Sequence, residues 1–170
     1  MANLDTPRGF RLYQLEGKVV RAREYVKTAG QNVYEGALVK RVAAGTLQVA
    51  APADSGIVGV AAATSLATDP DVVMVFDDPE ATFVAETTGV FAAGDEGVNV
   101  DIAAGTDDTN LLRSGQIIDM ATKATTANLP FKIIKLANPI NQEENLAGAN
   151  ADVLVKLNNC ERAAGTAGIV

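Results

Sequence analysis

Apolar residues in this chain come in short bursts of strand length, each ended by Gly, Pro, Asp or Asn. No stretch sustains a capped 3.6-residue apolar period; the best short helix candidates lie near Asn110 and Thr122. Val19 to Lys27 alternates, with Val20, Ala22, Glu24 and Val26 in one phase. Ala37–Val42 and Thr46–Ala50 flank an Ala-Ala-Gly turn and read as a hairpin. Gly56–Ala61 follows the loop around Pro52. Val72–Phe76 is continuously apolar and is expected to be buried on both faces. Asp77-Asp78-Pro79-Glu80 is expected to turn it into Thr82–Thr87 as a second hairpin, with the Asp carboxylates capping local amides. Further strands are expected at Gln116–Ala121, Phe131–Leu136 and Asp152–Leu157. Strands at roughly ten-residue spacing point to an all-β protein, a single β-sandwich or β-barrel domain.

Composition narrows the chemistry. Apolar residues make up 48% of the chain but aromatics only 5%, so the core is built from Ala, Val, Leu and Ile. With no His and one Cys, Cys160, neither an internal disulfide nor a Cys/His zinc site can form. Ser-His-Asp and Cys-His catalysis are excluded for the same reason. No catalytic residues, cofactor or metal are assigned, and the chain is read as a non-enzyme. No apolar run approaches the roughly 20 residues needed to span a bilayer, and no secretory signal is visible, so a cytoplasmic origin is expected.

The net charge of −7 is unevenly spread. Residues 1–41 hold eight basic side chains against four acids, a balance of +4, which leaves −11 for the remainder. Asp69 to Asp108 contains eleven acids and no Lys or Arg. A basic front and acidic body argue against nucleic-acid binding and fit contact between like chains. A merely solvated acidic surface is the plainer alternative.

Residues 1–18 read as an extended N-terminal arm, followed by one β-rich domain over 19–170 with a flexible C-terminal tail. Pro7, Gly9 and Gly17 break any period. Arg8, Phe10, Arg11, Leu12 and Leu15 are the expected partner-binding residues, able to pair with acids and bury apolar groups together.

Two motifs invite chemical readings. Asp54-Ser55-Gly56, set between apolar segments, is the pattern of an aspartic-type protease, in which two Asp residues share a proton. Leu111-Leu112-Arg113-Ser114-Gly115 is only a poor echo of the second apolar segment such enzymes carry, so an ordinary turn is the preferred reading. Asp77, Asp78 and Glu80, with Asp95-Glu96 and Asp107-Asp108, could bind Ca²⁺ between subunits, though none matches an EF-hand loop. Turn chemistry accounts better for Asp77-Asp78-Pro79.

The opening Met1-Ala-Asn-Leu-Asp-Thr-Pro-Arg-Gly-Phe10 resembles the start of many tailed-bacteriophage virion structural proteins. The likeness continues at Phe76-Asp-Asp-Pro-Glu-Ala-Thr-Phe83 and at Val153-Leu-Val-Lys-Leu-Asn158 with its small-residue tail. The resemblance implies a capsid decoration (cement) protein that bridges major capsid protein subunits. It also implies a homo-oligomer, usually a trimer, on the capsid surface of a virion assembled in the host cytoplasm. A tail component or head-fibre base is the alternative. No nucleic acid or membrane partner is expected.

Overall fold

The computed structural model describes residues 3, 5–13, 20–137 and 145–168. Eleven strands and one 3-10 turn (Ala93–Asp95) make up the regular structure, so the expected all-β class is the one observed. The strands are β1 (Arg11–Tyr13), β2 (Ala22–Val26), β3 (Leu38–Arg41), β4 (Leu47–Val49), β5 (Ile57–Ala61) and β6 (Val72–Phe76). They continue as β7 (Thr82–Thr88), β8 (Asn99–Ala103), β9 (Ile117–Ala124), β10 (Phe131–Leu136) and β11 (Asp152–Leu157).

They form two sheets. The larger runs β1-β7-β11-β10-β8-β9, and a parallel pairing of Thr87 and Thr88 with Ile118 and Asp119 brings β9 back to β7. Five strands thereby close into a barrel. Strand β7 gives one edge to β11 and divides the other, first to β1 at Thr82–Val84 and then to β9. The smaller sheet runs β2-β6-β5-β3-β4, and its outer strands meet through one parallel bridge, Lys27 to Leu47.

The interiors differ in filling. Phe83, Phe131, Ile133, Val100, Ile102, Ile118, Val153 and Val155 are all buried inside the larger sheet. Leu38, Ile57 and Val60 of the smaller sheet join this same cluster. The other face of the smaller sheet encloses Val33, Val39, Leu47, Val58, Val73 and Val75. Strand β5 is therefore buried throughout, with successive side chains serving two cores. Between the sheets, the buried Gln116 amide accepts from the Leu38 N–H at 2.6 Å and donates to the Ala50 carbonyl at 2.7 Å. Asp101 accepts the Ala53 N–H at 2.6 Å.

Several sequence expectations are corrected. Strands β6 and β7 are not a hairpin: β6 pairs with β2 and β5, while β7 lies in the other sheet. Asp77, which directly follows β6, is buried rather than exposed in a turn, and its partners come from β2 and the C-terminal segment. Strand β6 is buried on one face only, with Val73 and Val75 inward and Met74 37% exposed. The β2 phase is inverted, since Val26 is 58% exposed and Lys27 is 1% exposed. The C-terminal segment, expected to be flexible, is fastened over its described residues. Asn99 Nδ2 donates to the Thr166 carbonyl at 2.7 Å, Lys132 Nζ donates to Ala167 O at 2.8 Å, and Asn158 Oδ1 accepts the Thr166 N–H at 2.9 Å.

Candidate functional site

The arm lies along its own body. Asn3 Nδ2 donates to the carbonyls of Leu146 (2.8 Å) and Ala149 (3.0 Å). The Thr6 N–H donates to Glu86 Oε2 at 3.0 Å. The chain then crosses the start of β3, where Gly9 and Gly36 meet back to back. Both have positive φ (+65° and +80°), and a Cβ on either would fall 2.9 Å from backbone of the other crossing segment. Only glycine permits that conformation and that closeness together.

Phe10 follows directly and sets the site's character. Its ring, expected to face a partner, is 2% exposed and stacks on Phe131 with centroids 4.4 Å apart. Arg11 and Leu12 lie in β1 opposite Val84 and Phe83. Arg11 Nη2 donates to Asp152 at 3.1 Å, while its Nε is buried without an acceptor. Arg8 is exposed. Leu15 lies outside the described residues. Of the five expected partner residues, four are thus brought together, but Phe10 is spent within the chain.

Between arm and body is a groove of about 330 Å³, lined by Arg8, Arg11, Arg113, Leu12, Phe76 and, as its one acid, Glu35. Arg113 belongs to a loop that sequence reasoning considered only as a protease echo. There Asp108 Oδ1 accepts the amides of Asn110 and Leu111, and Asp108 and Arg113 exchange backbone bonds at 2.9 and 3.0 Å. Thr64 Oγ1 donates to the Leu112 carbonyl at 2.6 Å. The loop holds Leu111 65% and Leu112 39% exposed, with Leu112 at φ +54°, a costly conformation for a leucine.

Beneath the arm, burial chiefly, with the neighbouring carboxylates Asp5 and Asp152, pushes Glu86 up to about 7, against the pull of the Thr6 amide.

The remaining acids are structural in their contacts. Asp77 Oδ2 accepts from Tyr25 Oη (2.7 Å) and Arg162 Nη1 (2.8 Å), and Arg23 Nε lies 3.6 Å from its other oxygen. Burial works to raise the Asp77 pKa, but those hydrogen bonds and guanidinium charges outweigh it and hold it low. Asp54 accepts the Ala51 N–H at 2.6 Å and pairs with Lys40 Nζ at 2.7 Å, which together overcome burial and hold it ionised. That is the geometry of a capped turn. Asp95 pairs with Lys123 at 2.8 Å, Asp78 caps the Glu80 amide, and Asp107 accepts the Gly115 N–H. Among the described residues no three His, Cys, Asp or Glu side chains gather as metal ligands, and no helix is long and apolar enough to cross a membrane. No family model matches the sequence, and no curated protein matches it.

Proposed function

We propose that this chain is a structural virion protein, a capsid decoration protein that stabilises a phage head by bridging major capsid protein subunits. The observation that carries the reading is the fastening of both ends of the chain to its body. Asn3 is tied to Leu146 and Ala149 at one end, and Thr166 and Ala167 to Asn99, Asn158 and Lys132 at the other. A protein that bridges subunits transmits load between them, and a chain pulled at a loose terminus yields there first. Two sheets sharing one core add stiffness in the same sense. The sequence resemblance to tailed-phage virion proteins supplies the setting, and the engaged Asp54 favours a turn over an aspartic-protease centre.

Immunogold labelling of negatively stained particles with antibody against this chain tests the proposal. Label over the head surface is expected, together with heads that rupture at lower temperature when the gene is disrupted. Label confined to the tail would favour the tail or fibre-base reading and overturn this one.

A further inference from the structure

Three observations converge on one face of the molecule. In the groove, Arg8 and Arg113 have no ion-pair partner among the described residues, Arg11 has a buried Nε without an acceptor among them, and Glu35 is the single acid against three guanidinium groups. On an acidic chain of net charge −7 this is a concentrated positive site. Beside it the capped loop fixes Leu111 and Leu112 in solvent. Uncovered leucines held in a strained, hydrogen-bonded turn are preorganised for contact.

The third observation is a complementary surface nearby. Phe76, which lines the groove, shares its strand face with Met74, about 7 Å farther along β6. Across from Met74 on β2 stands Glu24, and Val26 stands across from Val72. Glu24, Val26, Met74 and the adjoining Asp71 are all exposed. The face therefore has a basic apolar part, Arg8, Arg113, Leu111 and Leu112, and an acidic apolar part, Glu24, Asp71, Val26 and Met74. Among the described residues Arg8, Arg113, Glu24 and Asp71 make no ion pair, and Val26, Met74, Leu111 and Leu112 stand exposed.

We propose that a second copy of this chain docks here, its Glu24–Asp71 patch seated against the Arg8–Arg113 groove and its Val26 and Met74 against Leu111 and Leu112. Opposite charges fix the register, and the apolar residues between them supply contact area. Every copy carries both parts, so the contact can repeat from copy to copy, and a rotation that closes makes a symmetric ring in which all of them are satisfied. The inference does not depend on the capsid reading, since it concerns contact between copies in solution.

Light scattering of the full chain over a concentration series, at low and at high salt, tests it. A defined oligomer that dissociates as salt rises is expected. Arg113→Glu and Glu24→Lys should each weaken association at least tenfold, while the two reversals in one chain re-create an opposite-charge pair and restore it. Leu112→Ser should weaken association without altering its salt dependence. Each substituted side chain is solvent-accessible, and an unchanged far-UV circular dichroism spectrum checks that the variants fold. A wild-type monomer at every concentration overturns the proposal, as does an oligomer indifferent to both reversals.

Discussion

The larger sheet closes around aromatic rings, whereas the smaller encloses Val, Ala and Leu and is finished at its seam by a charged side chain. Phe10, Phe83, Phe91 and Phe131 fill the first, which has room for them, and the arm contributes one of the four. The second holds Val, Ala and Leu, and its seam is finished by Lys27, whose Nζ donates to the carbonyls of Gln31 (3.0 Å) and Leu66 (2.6 Å). Asp77 then ties Tyr25 and Arg162 together at the barrel's rim. Buried in a low-dielectric seam, such directional bonds hold the join where small aliphatic side chains make up the enclosed cluster. The barrel is held by volume; the smaller sheet is joined by pairing.

Phe10→Ala attacks the volume side and has the largest expected effect of the single substitutions. Losing a fully buried ring stacked on Phe131 should cost about 3–5 kcal/mol, seen as a lower denaturant midpoint. Deleting residues 1–13 should cost more, since it also removes β1; a shortened chain as stable as the whole would refute the description of the arm. Asp77→Ala attacks the pairing side. It leaves the part-buried Tyr25 hydroxyl without its acceptor, while the half-exposed Arg23 and Arg162 turn to solvent, and should cost about 1–2 kcal/mol.

The two regions should also answer pH with opposite signs. Asp77 is held low in the folded state, so its contribution is present above the ordinary carboxylate range and is lost as pH falls through the folded pKa. Glu86 is raised to about 7, so its contribution is full below about 4.5 and disappears as pH rises through 7. Glu86→Gln should therefore stabilise the protein by about 1–3 kcal/mol at pH 8 and change little at pH 4. Urea melts at both pH values would show the difference; equal effects would mean the carboxyl titrates normally. Arg41→Ala, breaking a half-exposed bidentate pair with Glu161, should cost less than about 1 kcal/mol.

How far the sequence revealed this follows the same division. Strands ending in recognisable turns were legible: the β3–β4 hairpin around Gly45 pairs as its Ala-Ala-Gly turn implies. The β2 phase was not, because Glu24 and Lys27 are both charged and only tertiary closure decides which is enclosed. Strand β8 went unread, since Asn99 and Asp101 dilute its apolar alternation. Both are buried by bonds to distant residues, Asn99 to Thr126 and Thr166 and Asp101 to Ala53. Asp77 was legible as a turn former but not as a buried hub, for its donors come from positions 25 and 162. Of the groove, Arg8, Arg11 and Leu12 were found from the arm's composition. Arg113 and the exposed leucines beside it carried no sequence signal of their proximity.

The divided edge of β7 has a consequence for synthesis. Strand β1 leaves the ribosome early, but the residues it pairs with, Thr82–Val84, are some seventy positions later, and β11, on the other edge, is later still. Neither the β7–β9 seam nor the arm can settle until those later strands have emerged, so Phe10 must wait unburied until Phe131 is available to it. Folding dominated by such distant pairings is slow. The nascent chain is thus exposed to wrong partners for longest at the ring that later anchors its core.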